Sequence, residues 1–443
     1  MANRSIHIGT LILENGHHIG GWRYPEAERH GGHDFDFYKR IVSTAERGRF
    51  DMAFFADYLG LRDTVEPDAR SRQHNVAYID PVSLVTALSV VTKNIGLVTS
   101  VSTTYNHPFN VARKIASIDH LSQGRAGWNL VTSATDAEAL NFGLSQQVPH
   151  HARYERASEF VDVVRKLWDS WDDDAFVMDA QSGRYYDPEK LHLINHQGAH
   201  YQVKGPLNVA RAPQGHPVVF QAGASEDGQW LAARTAEAVY TAAQTKEAAQ
   251  TYYRSLKSKV VAVGREPDSL LILPGIVPFI GRTHEEALEK QARIRQAIHP
   301  SIGVGLLSVM IGHDLRAYDV DGPLPDIPLT EGHRSRQQLL IDLARREQLT
   351  IRQLYERSSA FGHRELAGTA EHIADVLQDL FEDGAADGFN ILPPYLPGGL
   401  EEFVDQVVPI LQARGLFRRE YQGNTLREHL GLARPRNRFT TSS

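Results

Sequence analysis

The chain contains no cysteine, which excludes disulfide scaffolds, zinc ribbons, iron–sulfur clusters and thiol nucleophiles. It also lacks a long apolar run. The longest, over residues 270–280, is interrupted by Pro274, Gly275 and Pro278, far short of the ~20 residues a membrane span needs. The first ten residues carry one Arg and no apolar stretch of signal-peptide length. A soluble, cytoplasmic protein without membrane attachment is expected. Basic residues are not in excess: 47 Lys+Arg face 54 Asp+Glu, for a net charge of −7, which argues against nucleic acid as a partner. No G-x-G-x-x-G follows a strand and no P-loop lysine motif is present, so no dinucleotide or nucleotide-triphosphate site is legible. Metal is not expected either. His7 and the pair His17–His18 do not have the one-residue spacing of a barrel metallohydrolase, and no Glu in zinc-protease order separates His192 from His196.

What the chain does have is alternation. Its 443 residues are 42% hydrophobic and 23% charged, enough to bury a large core without covalent staples. Apolar runs of strand length at 6–13, 51–56, 95–103, 125–132, 218–222, 238–242, 270–279 and 388–392 alternate with segments of helical period. The helices are expected at 35–47, 81–91, 109–121, 152–171, 226–236, 246–263, 283–297, 370–381 and 400–413, with a further helical patch at 339–347. Eight such units predict parallel strands with right-handed crossovers, closing into an α/β fold, a (β/α)₈ TIM barrel. A doubly wound open sheet is the alternative. The reading gives one domain over 1–443. It has an insertion near 172–215 carrying a hairpin, a proline-broken irregular insertion near 299–346 that reads as a lid, and a C-terminal tail over 415–443. The tail is expected to dock on a neighbouring subunit of a homo-oligomer or to be mobile.

Chemistry in such barrels sits at the C-terminal strand ends. The second strand ends in Asp57, which can hold a polar edge of a ligand or merely cap a turn. The third ends in a run of hydroxyls including Ser102 and Thr103, which can bind heteroatoms or satisfy local backbone. The fourth carries Trp128 and Asn129, a flat wall or core side chain beside a carboxamide. After the fifth, a small-residue turn leads through Ser225 into a helix, an anion site by its free amides and dipole or an ordinary N-cap. His150 and Tyr154, four apart on one helix face, can reach the same anion or form a solvated pair.

Several separated blocks then resemble one family. Gly127-Trp128-Asn129-Leu130-Val131-Thr132-Ser133, continuing through Asp136-Ala137-Glu138-Ala139-Leu140-Asn141-Phe142-Gly143, is similar to a signature of the bacterial luciferase superfamily of flavin-dependent monooxygenases. The match is to the branch containing nitrilotriacetate monooxygenase, pristinamycin synthase and dibenzothiophene-sulfone monooxygenase. Glu46-Arg47-Gly48, His150-His151-Ala152-Arg153-Tyr154, Ala212-Pro213-Gln214-Gly215, Gly384-Ala385-Ala386-Asp387-Gly388-Phe389 and Glu420-Tyr421-Gln422-Gly423-Asn424-Thr425-Leu426-Arg427 extend the resemblance along the chain. It implies a barrel that takes reduced FMN from a separate NAD(P)H-dependent flavin reductase and uses O2 to oxygenate a small organic substrate bearing sulfur, nitrogen or halogen. By the same resemblance Asp57, Ser102 and Thr103 lie along the flavin, and Asn129 contacts its ring. His150, Tyr154 and Ser225 hold its phosphate, and His17 acts near it. Met310 stands where some members have a second histidine. A deazaflavin-dependent oxidoreductase and a non-catalytic flavin-binding barrel are the alternatives.

Overall fold

The computed structural model describes residues 4–61, 67–223, 225–328, 334–360 and 362–440. Eight parallel strands close on themselves: β1 (His7–Ile12), β2 (Met52–Phe55), β3 (Gly96–Ser102), β4 (Ala126–Val131), β5 (Val218–Ala222), β6 (Ala238–Thr241), β7 (Leu271–Ile280) and β8 (Gly388–Ile391). Each pairs with its neighbour in sequence, and β8 returns to β1 through the register His7–Gly388 to Thr10–Ile391. This is the (β/α)₈ barrel.

Strand side chains alternate between two layers. Leu11, Met52, Phe54, Val98, Phe220, Tyr240 and Leu273 pack in one cluster that fills the barrel. Ile8, Ile12, Phe55, Leu97, Trp128 and Ile391 belong to the larger cluster between strands and surrounding helices. Trp128 is thus a core side chain, fully buried against Phe160 and Trp168, and not a wall of the mouth. The helices start where the sequence supplies caps. Asp34, Asp80, Ser225, Thr245, Thr283 and Thr369 each accept a first-turn amide.

The first insertion carries the expected hairpin, with His196–Gln197 antiparallel to Gln202–Val203. The second differs from expectation. Its start is a helix, Pro300–Ile311, and not irregular chain. Pro300 occupies the first turn, where no amide partner is lost, and Pro323, Pro325 and Pro328 all follow the helix. Two more helices, Arg334–Glu347 and Ile351–Ser358, complete a small core with Val304, Leu307, Met310, Leu354 and Tyr355. Ile302 and Leu306 pack with Ala69 against Ile19 of the loop after β1, so the insertion covers one side of the mouth. A ninth strand, Arg364–Gly368, which the reading omitted, pairs with the second half of β7. β7 thereby serves three partners, and Pro274 sits where pairing passes from β6 to β8.

The described part of the tail folds onto its own barrel. Leu426 and Leu430 join the barrel-filling cluster. Arg427 is 2% exposed and donates to Glu237 (2.5 and 3.0 Å), to the His216 carbonyl (2.8 Å) and to the Ala433 carbonyl (3.0 Å). Arg418 pairs with buried Asp51, which also receives the Ile8 amide (2.7 Å) and contacts His7 (3.2 Å). His7 thus serves the plug at the N-terminal end of the barrel, away from the mouth.

Candidate active site

The mouth is framed by loops that backbone hydrogen bonds tie together. His17 and His18 amides donate to the Pro393 and Pro394 carbonyls (2.8 and 3.2 Å), and the Leu396 amide donates to Asn15 (3.0 Å). Gly16 makes this possible. It sits at φ +119, and a Cβ there would lie 2.4 Å from the Tyr395 Cα.

His17 is buried, with Nε2 3.4 Å from the Ala360 carbonyl and its ring 5.3 Å from that of His363. Burial, and to a smaller degree neighbouring His74, lower its pKa to about 4, so the imidazole is neutral at physiological pH. His18 is neutral too, lowered to about 3 by burial and then by Arg295. The Gly20 amide donates to its Nδ1 (3.1 Å), so its Nε2 carries the proton toward Ser359 Oγ (2.8 Å).

On the other side of the mouth, Asn129 Nδ2 donates to Ser100 Oγ (2.8 Å), which donates to the Phe55 carbonyl (3.0 Å). Asn129 Oδ1 is buried with no hydrogen-bond partner. Other buried strand atoms share that condition, among them Asn390 Oδ1 on β8 and the Tyr240 hydroxyl on β6. Tyr240 stacks between Phe54 (4.4 Å) and Phe220 (5.5 Å). Asn390 registers between two glycines, Gly9 of β1 and Gly275 of β7. Gly275 is required: a Cβ there would stand 2.2 Å from Nδ1 of His363.

The hydroxyl run is largely satisfied locally. Ser102 Oγ meets Ser133 Oγ (2.9 Å), and Thr103 Oγ1 donates to the Val131 carbonyl (3.3 Å). Asp57 is half-buried after β2, where burial and then Asp80 raise its carboxyl to about 6.

At the far edge, His150 and Tyr154 converge on the helix Glu226–Thr235. Their rings are 4.7 Å apart. Ser225 is that helix's N-cap, accepting the Gly228 amide (3.1 Å). A Cβ on Gly228 would be 3.0 Å from Ser225 Oγ and 3.4 Å from the Tyr154 hydroxyl, so all three surround one small space. Asp227 closes it by pairing with His150 Nδ1 (3.2 Å).

A family model described as luciferase-like monooxygenase matches residues 17–387. The chain belongs to that family. It is 50% identical to nitrilotriacetate monooxygenase component A of Aminobacter aminovorans, over 98% of both chains. It is 46% identical to N-acetyl-S-(2-succino)cysteine monooxygenase of Bacillus subtilis strain 168, again over 98% of each. Among solved structures, a riboflavin lyase with modified FMN and riboflavin superposes with TM-score 0.84 at 33% identity, covering 96% of both chains. The protein is therefore an oxidoreductase of the monooxygenase class, with flavin as its class of cofactor.

The structure thus brings His150, Tyr154 and Ser225 together and sets Asn129 with an unpartnered oxygen among the barrel strands. It places Asp57, Ser102 and Thr103 at the ends of β2 and β3. Met310 packs in the apolar core of the second insertion. Sequence reasoning missed Tyr240, Asn390 and His363. The first two left a signal, a lone polar handle in an otherwise apolar strand. His363 left none, since its loop precedes the omitted ninth strand. Among the described residues no three His, Asp or Glu side chains gather in a way that could hold a metal.

Proposed function

We propose that the barrel mouth binds reduced FMN supplied by a separate NAD(P)H-dependent flavin reductase, and that the protein uses O2 to oxygenate a small organic compound bearing nitrogen or sulfur. The observation that carries this reading is a group of buried, unpartnered polar atoms on the strands, among them Asn129 Oδ1, Asn390 Oδ1 and the Tyr240 hydroxyl, beside Thr10 Oγ1, Thr99 Oγ1 and Gln221 Oε1. Each would cost about 1–3 kcal/mol if left unmatched. A flavin ring edge alternates N–H and C=O groups, and carboxamides with a phenol match that alternation. The second support is the space between His150, Tyr154 and Ser225, at a helix N-terminus where free amides and the helix dipole favour an anion.

In this reading Asn129 and Asn390 hold the polar edge of the ring. Asp57, Ser102 and Thr103 flank it, and His150, Tyr154 and Ser225 hold the phosphate. His150, which pairs with Asp227 (3.2 Å), would exchange that partner for the phosphate. Phe54 and Phe220, stacked about Tyr240, exclude water from the ring. Neutral His17 offers a hydrogen bond without a charge. When bound, the reduced flavin supplies the electrons for oxygen chemistry, the cofactor's share of the work. The two relatives named above support the partner and substrate: one is named as a component, and both names denote nitrogen- or sulfur-bearing acids.

The test is reconstitution with an unrelated NADPH-dependent FMN reductase, FMN, isotopically labelled O2 and a panel of amino- and thio-carboxylates. Label in a product is expected. Flavin turnover that yields only hydrogen peroxide across the panel would contradict the reading.

A further inference from the structure

Beside the mouth, between the ends of β1 and β2 and the helices Phe35–Arg47 and Pro81–Ser89, lies a small, partly open cavity that no step above uses. Its walls include Glu14, Tyr38, Phe55, Tyr58, Asn75 and Tyr78. Its free volume is about 20 Å³, room for one group the size of a water molecule. Two of the lining side chains carry unmet acceptors. Glu14 is 5% exposed and its Oε2 has no hydrogen-bond partner. Asn75 Oδ1 is likewise buried without one.

The surroundings select the sign and type of ligand. Burial raises the Glu14 carboxyl to about 7, opposed only by its own backbone amide, with no basic side chain acting on it. Tyr38 and Tyr78 feel the same negative field, which raises their hydroxyls further. Tyr78 is held at the rim by the Tyr58 backbone, accepting its amide (2.8 Å) and donating to its carbonyl (3.1 Å). The Tyr38 and Phe55 rings meet edge to face at 6.2 Å. Unmet acceptors, a carboxyl group and aromatic walls suit a cation that carries N–H donors. An anion would meet acceptors on both sides and is excluded.

We propose that this cavity is a binding site for a primary ammonium group, with Glu14 as counter-ion and Asn75 Oδ1 as the second acceptor. The cavity adjoins Asp57, which contacts Tyr58 and Tyr78 of its wall. Its two acceptors, Glu14 and Asn75, are not among the residues assigned to FMN, so a titration of the flavin-free protein tests it apart from the flavin reading.

The experiment is calorimetric titration of the full-length, flavin-free protein with methylammonium chloride at about pH 8, above the Glu14 value, with ionic strength held by NaCl. Saturable one-to-one binding is expected, with tetramethylammonium, too large for the cavity, giving none. Glu14→Gln should weaken methylammonium binding at least about tenfold, the loss expected for one charge-assisted hydrogen bond, with the melting temperature not lowered. Asn75→Asp keeps the shape and adds a charge, so it should tighten binding. Absence of saturable binding in the parent protein would overturn the proposal, as would Glu14→Gln binding equally well. KCl competing at the same concentration as methylammonium would also overturn it, by making the site one for an inorganic cation.

Discussion

Arg427→Met tests whether the C-terminal segment is an integral part of the barrel. The guanidinium is buried, and its two terminal nitrogens make two bonds to Glu237 and one each to the His216 and Ala433 carbonyls. Methionine keeps most of the apolar stem and removes every one of these bonds. What remains is a largely buried Glu237, its side chain 14% exposed, whose principal counter-charge is gone. Breaking one side of a buried pair costs about 3–5 kcal/mol, chiefly because the abandoned charge stays desolvated. Part of that loss is softened by Arg165 and the Val219 amide, which also favour the Glu237 carboxylate. We therefore expect about 3 kcal/mol, read as a drop in the urea midpoint by circular dichroism. Adding Glu237→Gln to Arg427→Met should recover more than half of it by removing the stranded charge. The pH dependence has a definite sign. Glu237 is held below its ordinary value by Arg427, so its contribution is full above about pH 4.5 and is lost as pH falls through the folded value. The gap between parent and variant should close in that direction. A midpoint within about 1 kcal/mol of the parent would refute the reasoning and make the tail an accessory.

Ser225→Asp should leave the melting temperature unchanged, because aspartate is as good an N-cap as serine, while lowering affinity for reduced FMN by charge repulsion. Unchanged affinity in a fluorescence or absorbance titration would move the phosphate elsewhere. Glu14→Gln should stabilise the protein at pH 8 by up to about 3 kcal/mol, the cost of ionising a carboxyl raised from 4.5 to about 7. A raised carboxyl stabilises below its unfolded value, and that contribution is lost as pH rises through about 7. The advantage should therefore vanish below about pH 4.5, and a pH-independent difference in thermal melts would contradict the burial argument. Gly275→Ala should displace the His363 ring and cost about 1–3 kcal/mol of stability through overpacking. Parent-like melting with an unshifted His363 resonance in NMR would show the ring is not confined by that glycine.

The barrel was legible because buried parallel strands read as short continuous apolar runs, and segments such as Val218–Ala222 and Gly388–Ile391 carry little else. The helix Pro300–Ile311 was not. It is apolar on every side, so it shows no amphipathic period, and its proline lies where a helix tolerates it. The strand Arg364–Gly368 mixes charged and small residues at a sheet edge and carries no alternating signal. Leu426, Leu430 and Leu432 are too sparse along the tail to announce that they fill a barrel. For His150, Tyr154 and Ser225, helix geometry alone left an anion site and a solvated pair with an ordinary N-cap both open, because i,i+4 spacing and a capping serine serve either; the resemblance chose between them. Asn390 and His363 both meet β7 at Gly275, and Tyr240 stacks between Phe54 and Phe220, placements set by barrel closure that no local pattern encodes.

The central claim is that the mouth binds reduced FMN and shields it during oxygen chemistry. The most direct measurement is an anaerobic titration of the purified protein with reduced FMN, followed by rapid mixing with oxygenated buffer. The account predicts saturable binding and a delayed, spectrally distinct return to oxidised flavin. Weak binding, or reoxidation at the rate of free flavin, would contradict it.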